Sequence, residues 1–341
     1  MLETYRPQWR DFLAISGLTR RAGCSESSLA LVAVKEMVDN ALDASPTGIG
    51  AGVQGRTVTV YDNGPGLSRE QVLNIFAVNR PTLSSKRWRL ARRGALGNGV
   101  RVILGVVHVS GGSLRISSRG TFYDIAVDPT SGETILLAEG PSETSTGLQV
   151  EITFGAGVGF DRAEIEDHLL FCQVAPGSAY GGKKAVPDWF SAETIADLMR
   201  DAMPGASALE FARSFDITAH GMEQIKALTA RQAVGDLLSE PDRLSTYVDA
   251  IKGNAAPPRS LRKVGRGALP DGKYTSVQGT FAHDGVRLPF IVEVWALGRP
   301  VLNRKSTGRV DLEVVLVNRT PALMTELAGF AADLLPFWLP P

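Results

Sequence analysis

The sequence predicts an α+β chain in which helices lie on one face of a mostly antiparallel sheet, followed by a small helical unit and a short β-rich one. Three observations carry this expectation. One is an apolar run with helical periodicity, LALVAVKEMVDNALDA at 29–44. Another is a train of period-two segments, SLRISSR, TFYDIAVD, ETILLAE and TGLQVEITF, separated by GG, RG, PTSG and GPSETS. The last is a change of pattern after Phe160, where short amphipathic stretches with polar breaks replace the strands.

In chain order, residues 29–44 form one helix, and TVTVYDNG (57–64) alternates into a turn. A short helix follows at 71–78, and an apolar helix opens after glycines at 100–107, before the four strands. Residues 161–172 read as an amphipathic helix, continued by SAETIADLMRDAM, ALEFARSF, MEQIKALTARQAVGDLL and PDRLSTYVDAIKG. Between 254 and 270 Pro, Gly and cationic residues mix as in a linker. YTSVQGTFAH, LPFIVEVWAL and RVDLEVVLVNR are strands, and TPALMTELAGFAADLL is a final helix. The expected domains are 1–157, 158–255 and 256–341.

Composition narrows the function. Lys plus Arg (36) balances Asp plus Glu (36), so a nucleic-acid partner has to be met by a local patch such as 80–101 or 259–266. Cys24 and Cys172 stand apart, which excludes a disulfide framework and the usual zinc spacings. No apolar run approaches the roughly 18 residues of a membrane span, so the expectation is a cytoplasmic protein with no membrane partner.

The chemistry concentrates in three short elements. In KEMVDNALDA, at about 100° per residue, Glu36, Asn40 and Asp43 fall within about 60° of one another on a helix. Alone, that is equally the solvated face of an amphipathic helix. YDNGPGLS places Asp62 at a strand end before Gly64 and Gly66, which permit close backbone approach. RRGALGNGVRVILGV sets Gly94, Gly97 and Gly99 before an apolar helix, whose first N–H groups can bind phosphate oxygens.

Together and in this order, the three elements resemble the GHKL ATPase superfamily, which includes gyrase, MutL proteins, ninety-kilodalton heat-shock chaperones, sensor histidine kinases and topoisomerase VI. The resemblance covers residues 25–155. It implies a Bergerat ATP-binding sandwich, with ATP and Mg²⁺ bound. It assigns Glu36 as the general base that activates water and Asn40 as the Mg²⁺ ligand. Asp43 supports the nucleotide pocket, and Asp62 accepts a hydrogen bond from the adenine amino group. Gly64 and Gly66 admit base and ribose; Gly94, Gly97, Asn98 and Gly99 cradle phosphates. The basic segment 77–94 becomes a lid over ATP, with Lys86 in SSK a phosphate contact. Thr146, in STGLQVEI, matches a nucleotide-touching threonine of the family, although its order with glycine is reversed and Ser145 is the alternative.

Within the superfamily, histidine kinases carry Asn where this chain has Glu36, so hydrolysis is favoured. The histidines at 108, 168, 220 and 283 are scattered and read as structural or surface residues. MutL proteins show GFRGEAL where this chain has RRGALGNG. Residues 188–225 look like the helix-two-turns-helix insert of the topoisomerase VI B subunit, and 290–324 resemble its transducer, a ribosomal S5-like α/β domain, including an NR-x-P turn at Asn318, Arg319 and Pro321. A strand ending before an N-capped helix is the other reading of that turn. The transducer is expected to be short, and neither Lys273 nor Lys305 sits where that family's γ-phosphate lysine is expected.

The resemblance therefore implies an ATPase subunit that forms an ATP-dependent homodimer. It would gate passage of a DNA duplex cut by a separate A-type subunit, touching the DNA backbone through local basic segments. The alternative is an ATP-switched DNA or protein clamp of the MORC or MutL type, without topoisomerase activity.

Overall fold

The computed structural model describes residues 7–45, 48–80, 98–174, 179–180, 184–229, 231–300 and 309–322. After a 3₁₀ turn at Gln8–Leu13 come α1 (Ile15–Ala22) and α2 (Leu29–Ala44), then the hairpin β1 (Ile49–Gln54) and β2 (Thr57–Asp62). Next are α3 (Arg69–Ile75), α4 (Gly99–Ser110), β3 (Ser113–Ser118), β4 (Thr121–Val127), β5 (Thr134–Pro141) and β6 (Leu148–Thr153). The six strands make one sheet in the order β1-β2-β6-β3-β4-β5, every neighbouring pair antiparallel.

The sheet turns alternate residues inward, as a half-buried strand must: Val58 and Val60 from β2, Leu114 and Ile116 from β3, Val150 and Ile152 from β6. Against that face pack α2 and α4, which also pack on each other. The buried residues of α2 run from Leu29 through Val34 and then recur as Met37, Val38, Ala41 and Leu42, the interval that keeps one stripe on the core. The opposite stripe carries Glu36 and Asp43, while Asp39 is buried. Residues Arg162–Val174 form α5, and its Ile165, Leu169 and Cys172 join this same core. The core thus extends beyond Phe160, where the composition changes.

A second core is built by short helices: α6 (Ala192–Arg200), α7 (Ala208–Arg213), α8 (Ala219–Thr229), α9 (Val234–Leu238) and α10 (Pro241–Gly253). Ser191 and Ser207 accept bonds from Thr194 and Glu210 N–H and so cap α6 and α7. A four-stranded antiparallel sheet follows, β7 (Lys273–His283), β8 (Val286–Pro300), β9 (Arg309–Val317) and β10 (Thr320–Pro321), in the order β10-β9-β8-β7. Its small core is Trp295, Val314 and Leu316.

The stretch expected as a linker is fastened at several points. Glu293, 1% exposed, accepts hydrogen bonds from Val264 N–H (2.8 Å), Gly265 N–H (2.7 Å) and the Tyr274 hydroxyl (2.9 Å). Arg319 donates to the carbonyls of Arg262 (3.2 Å) and Lys263 (2.7 Å). Asn318 and Arg319, both at positive φ, make the two-residue turn that pairs β10 with β9. The helix expected from Thr320 does not begin there, since Thr320 and Pro321 pair as β10, and its remainder beyond 322 lies outside the described residues. Among those described, no helix is long and apolar enough to cross a membrane.

Candidate functional site

The polar stripe of α2 meets two other elements. Near its middle, Glu36 is partly exposed and its carboxylate lies against Gly99, the first residue of α4. A Cβ on Gly99 would collide with Glu36 Oε2, so any side chain there has to push the carboxylate aside. Asn98 precedes it as the N-cap residue of α4. Asn40 and Asp43 follow on the same stripe, one and two turns on, and both are exposed. At the C-terminal end of α2, a Cβ on Gly64 would stand 3.1 Å from Ala44 Cβ. The Asp62–Gly66 turn therefore sits at the end of the stripe. From Glu36 to Ala44 the helix rises about 12 Å.

Asp62 ends β2 and is 4% exposed. Burial pushes its carboxyl above the usual carboxylate range, and backbone N–H groups of Gly64 and Leu148 partly offset that shift. The Gly64 bond, to Oδ1, is 2.7 Å. Two such donors leave a carboxylate further acceptor capacity. Leu148, the first residue of β6, faces Asp62 across one pairing and Ser118 across the other. The ends of β2, β6 and β3 are thereby brought to one edge of the sheet.

Ser118, fully buried, ties that edge together and was not legible as a site residue. Its hydroxyl accepts from Leu67 N–H and donates to the Gly147 carbonyl, each at 2.9 Å. Gly147 has φ of +73°, and a Cβ there would run into the Asp62 carbonyl, so the turn before β6 crosses directly over Asp62. Gly66, at φ of +66°, packs against the same Ser118 and Gly147 atoms. Thr146 and Ser145 are both exposed beside this crossing.

Lys35 is a second residue that motif reading passed over. Its ammonium stands 3.7 Å from Glu36 Oε1 and 3.3 Å from Asp39 Oδ2. On α5, His168 is 6% exposed, and burial, with the Lys35 charge second, holds its pKa down to about 4. Arg101, in the first turn of α4, bonds through its guanidinium to the Arg80 carbonyl and lies over the Phe12 ring at 5.7 Å. Lys86, Gly94 and Gly97 lie outside the described residues. Among the described residues no group of three or more His, Cys, Asp or Glu side chains is arranged to hold a metal ion.

No family model and no curated protein matches the chain. Among solved structures the chain is similar to the ATPase region of Saccharomyces cerevisiae topoisomerase II, at 14% identity and a TM-score of 0.31. The similarity takes in 41% of this chain and 43% of that one, so the chain spans less than half of that structure's length. At that level the fold rests on the chain's own strand order and site.

Proposed function

We propose that the chain is a Mg²⁺-dependent ATPase of the GHKL class, most similar to the topoisomerase VI B subunit. The observation that supports this best is the seating of Glu36 at the N-terminus of α4. A carboxylate beside a helix N-terminus is the pairing that phosphate hydrolysis needs, since helix N–H groups bind phosphate oxygens and the carboxylate serves the water. Glu36 orients that water and takes its proton. Asp62, at the far end of the same stripe, accepts from the adenine amino group. Gly64 and Gly66 let base and ribose approach, and Thr146 touches the nucleotide from the turn before β6.

The fit to Mg²⁺ rests on Asn40. Its exposed amide, one turn from Glu36, suits an ion that takes few protein ligands and completes its shell with water and phosphate oxygens. When bound, the ion neutralises phosphate charge; the residues above do the rest. In this reading ATP closes two copies into a dimer that acts on DNA with an A-type cleaving subunit.

The test is ATP binding and phosphate release by the full chain. Glu36→Ala is expected to retain nucleotide binding and to lose turnover by roughly a hundredfold or more. Equal hydrolysis by variant and parent removes Glu36 from the role. Failure of DNA to stimulate hydrolysis, together with no ATP-induced dimerisation, removes the topoisomerase reading.

A further inference from the structure

The geometry points to Lys35 as a positioning residue for Glu36, an inference that rests on the ATPase reading above. Three contacts carry it. The Lys35 ammonium is 3.3 Å from Asp39 Oδ2, one helical turn on, and 3.7 Å from Glu36 Oε1. Glu36 Oε2 lies against Gly99 at the start of α4. The two oxygens of one carboxylate thus face different partners, a cation on one side and a helix start on the other.

The burial gradient gives the arrangement a direction. Side-chain exposure rises from 7% at Asp39 through 14% at Lys35 to 25% at Glu36. Asp39 therefore fixes the ammonium from the protein side, and the ammonium presents a fixed charge to the more exposed carboxylate. His168 of α5 stands on the same side, close enough for the Lys35 charge to act on it. A glutamate left alone at this exposure would sample several rotamers, and a base must hold its oxygen toward the water to be effective. Lys35 limits that freedom and acts only through Glu36.

The experiment measures steady-state ATP hydrolysis and equilibrium ATP binding by the full chain for Lys35→Met, Lys35→Arg and the double variant Lys35→Met/Asp39→Asn, with Glu36→Gln as reference. Lys35→Met is expected to lower kcat roughly tenfold to a hundredfold, the scale of a misplaced catalytic group, while Kd for ATP holds within about twofold. Lys35→Arg, which keeps the cation, recovers most of that loss. A purely structural ion pair gives a different pattern, a lower Tm with kcat intact, and that result overturns the inference. Because Lys35→Met takes a cation away from a buried carboxylate, folding can suffer; the double variant also removes the Asp39 charge, and full kcat there overturns the inference equally. If Glu36→Gln hydrolyses ATP at the parental rate, the ATPase reading of Glu36 fails first and takes Lys35 with it. If Glu36→Gln is inactive and the Lys35 variants are fully active, only the inference about Lys35 fails.

Discussion

His168 makes acid sensitivity of the first core a measurable quantity. Its pKa is held at about 4 against an ordinary 6.5, burial being the larger cause and the Lys35 charge the smaller. Because the folded value is the lower one, the unfolded chain takes up a proton first as the pH falls. The neutral buried ring therefore costs nothing above pH 6.5, and stability drains away between 6.5 and about 4, below which the loss is constant. The full difference is about 3 kcal/mol, at 1.36 kcal/mol per pH unit. The perturbation is His168→Leu, which fills the site and cannot titrate. Urea unfolding of both proteins is compared at about pH 7.5 and about pH 4.5, so that carboxylate titrations common to the two cancel in the difference. The parent is expected to lose about 2–3 kcal/mol more than the variant over that interval. Parallel losses in the two proteins would show that His168 meets protons freely and would falsify its burial on α5 beside Lys35.

Other perturbations test the site directly. Gly99→Ala drives a methyl into the Glu36 carboxylate, and is expected to cut ATP turnover by roughly a hundredfold, as a misplaced catalytic group does, with nucleotide binding retained in titration calorimetry; undiminished turnover would separate Gly99 from Glu36. Ser118→Ala removes both the acceptor for Leu67 N–H and the donor to the Gly147 carbonyl, and the cost of about 1–3 kcal/mol is read as a lower Tm, whereas an unchanged Tm counts against the tie. Asp62→Asn follows from the raised carboxyl pKa: stability from that group is greatest below the ordinary 3.8 and is lost as the pH rises through the folded value. The variant, which cannot ionise, is therefore expected to unfold at a higher temperature than the parent at neutral pH. On the ATPase reading its affinity for ATP is expected to fall, since an amide accepts a hydrogen bond less strongly than a carboxylate.

Where local signals dominate, the sequence was legible to the residue. The periodic run at 29–44 is α2 with its expected bounds, and PDRLSTYVDAIKG is α10. The short helix expected at 71–78 is α3, shifted to Arg69–Ile75, because Ser68 and Gln71 form a capping box that starts it earlier. That box was visible in the spacing. β1 was not read as a strand, since IGAGVQ carries two glycines and strand propensity argues against it. Pairing with β2 decides the matter: Gly50 lies beneath the Tyr61 ring, where a side chain would not fit. The site divides in the same way. Glu36, Asn40, Asp62, Gly64, Gly66 and Gly99 are picked out as candidates by pattern. Ser118, Gly147 and Lys35 act through partners that spacing does not reveal, since the Ser118–Gly147 bond spans 29 residues. Glu293 is likewise one carboxylate in an apolar strand until Val264 and Gly265 arrive beside it.

The fastening of residues 255–265 changes what the joint can do. Ala256 donates to the Asp216 carbonyl, and Arg262 donates to that of Ala179, both against the helical unit. Two and three residues further on, Val264 and Gly265 are gripped by Glu293 in β8, while Arg319 in the β9–β10 turn holds the carbonyls of Arg262 and Lys263. Arg262 is thus anchored from both directions. A stretch whose composition promises slack is a taut strap, and a pull on the four-stranded sheet reaches Ala179 without first taking up loose chain.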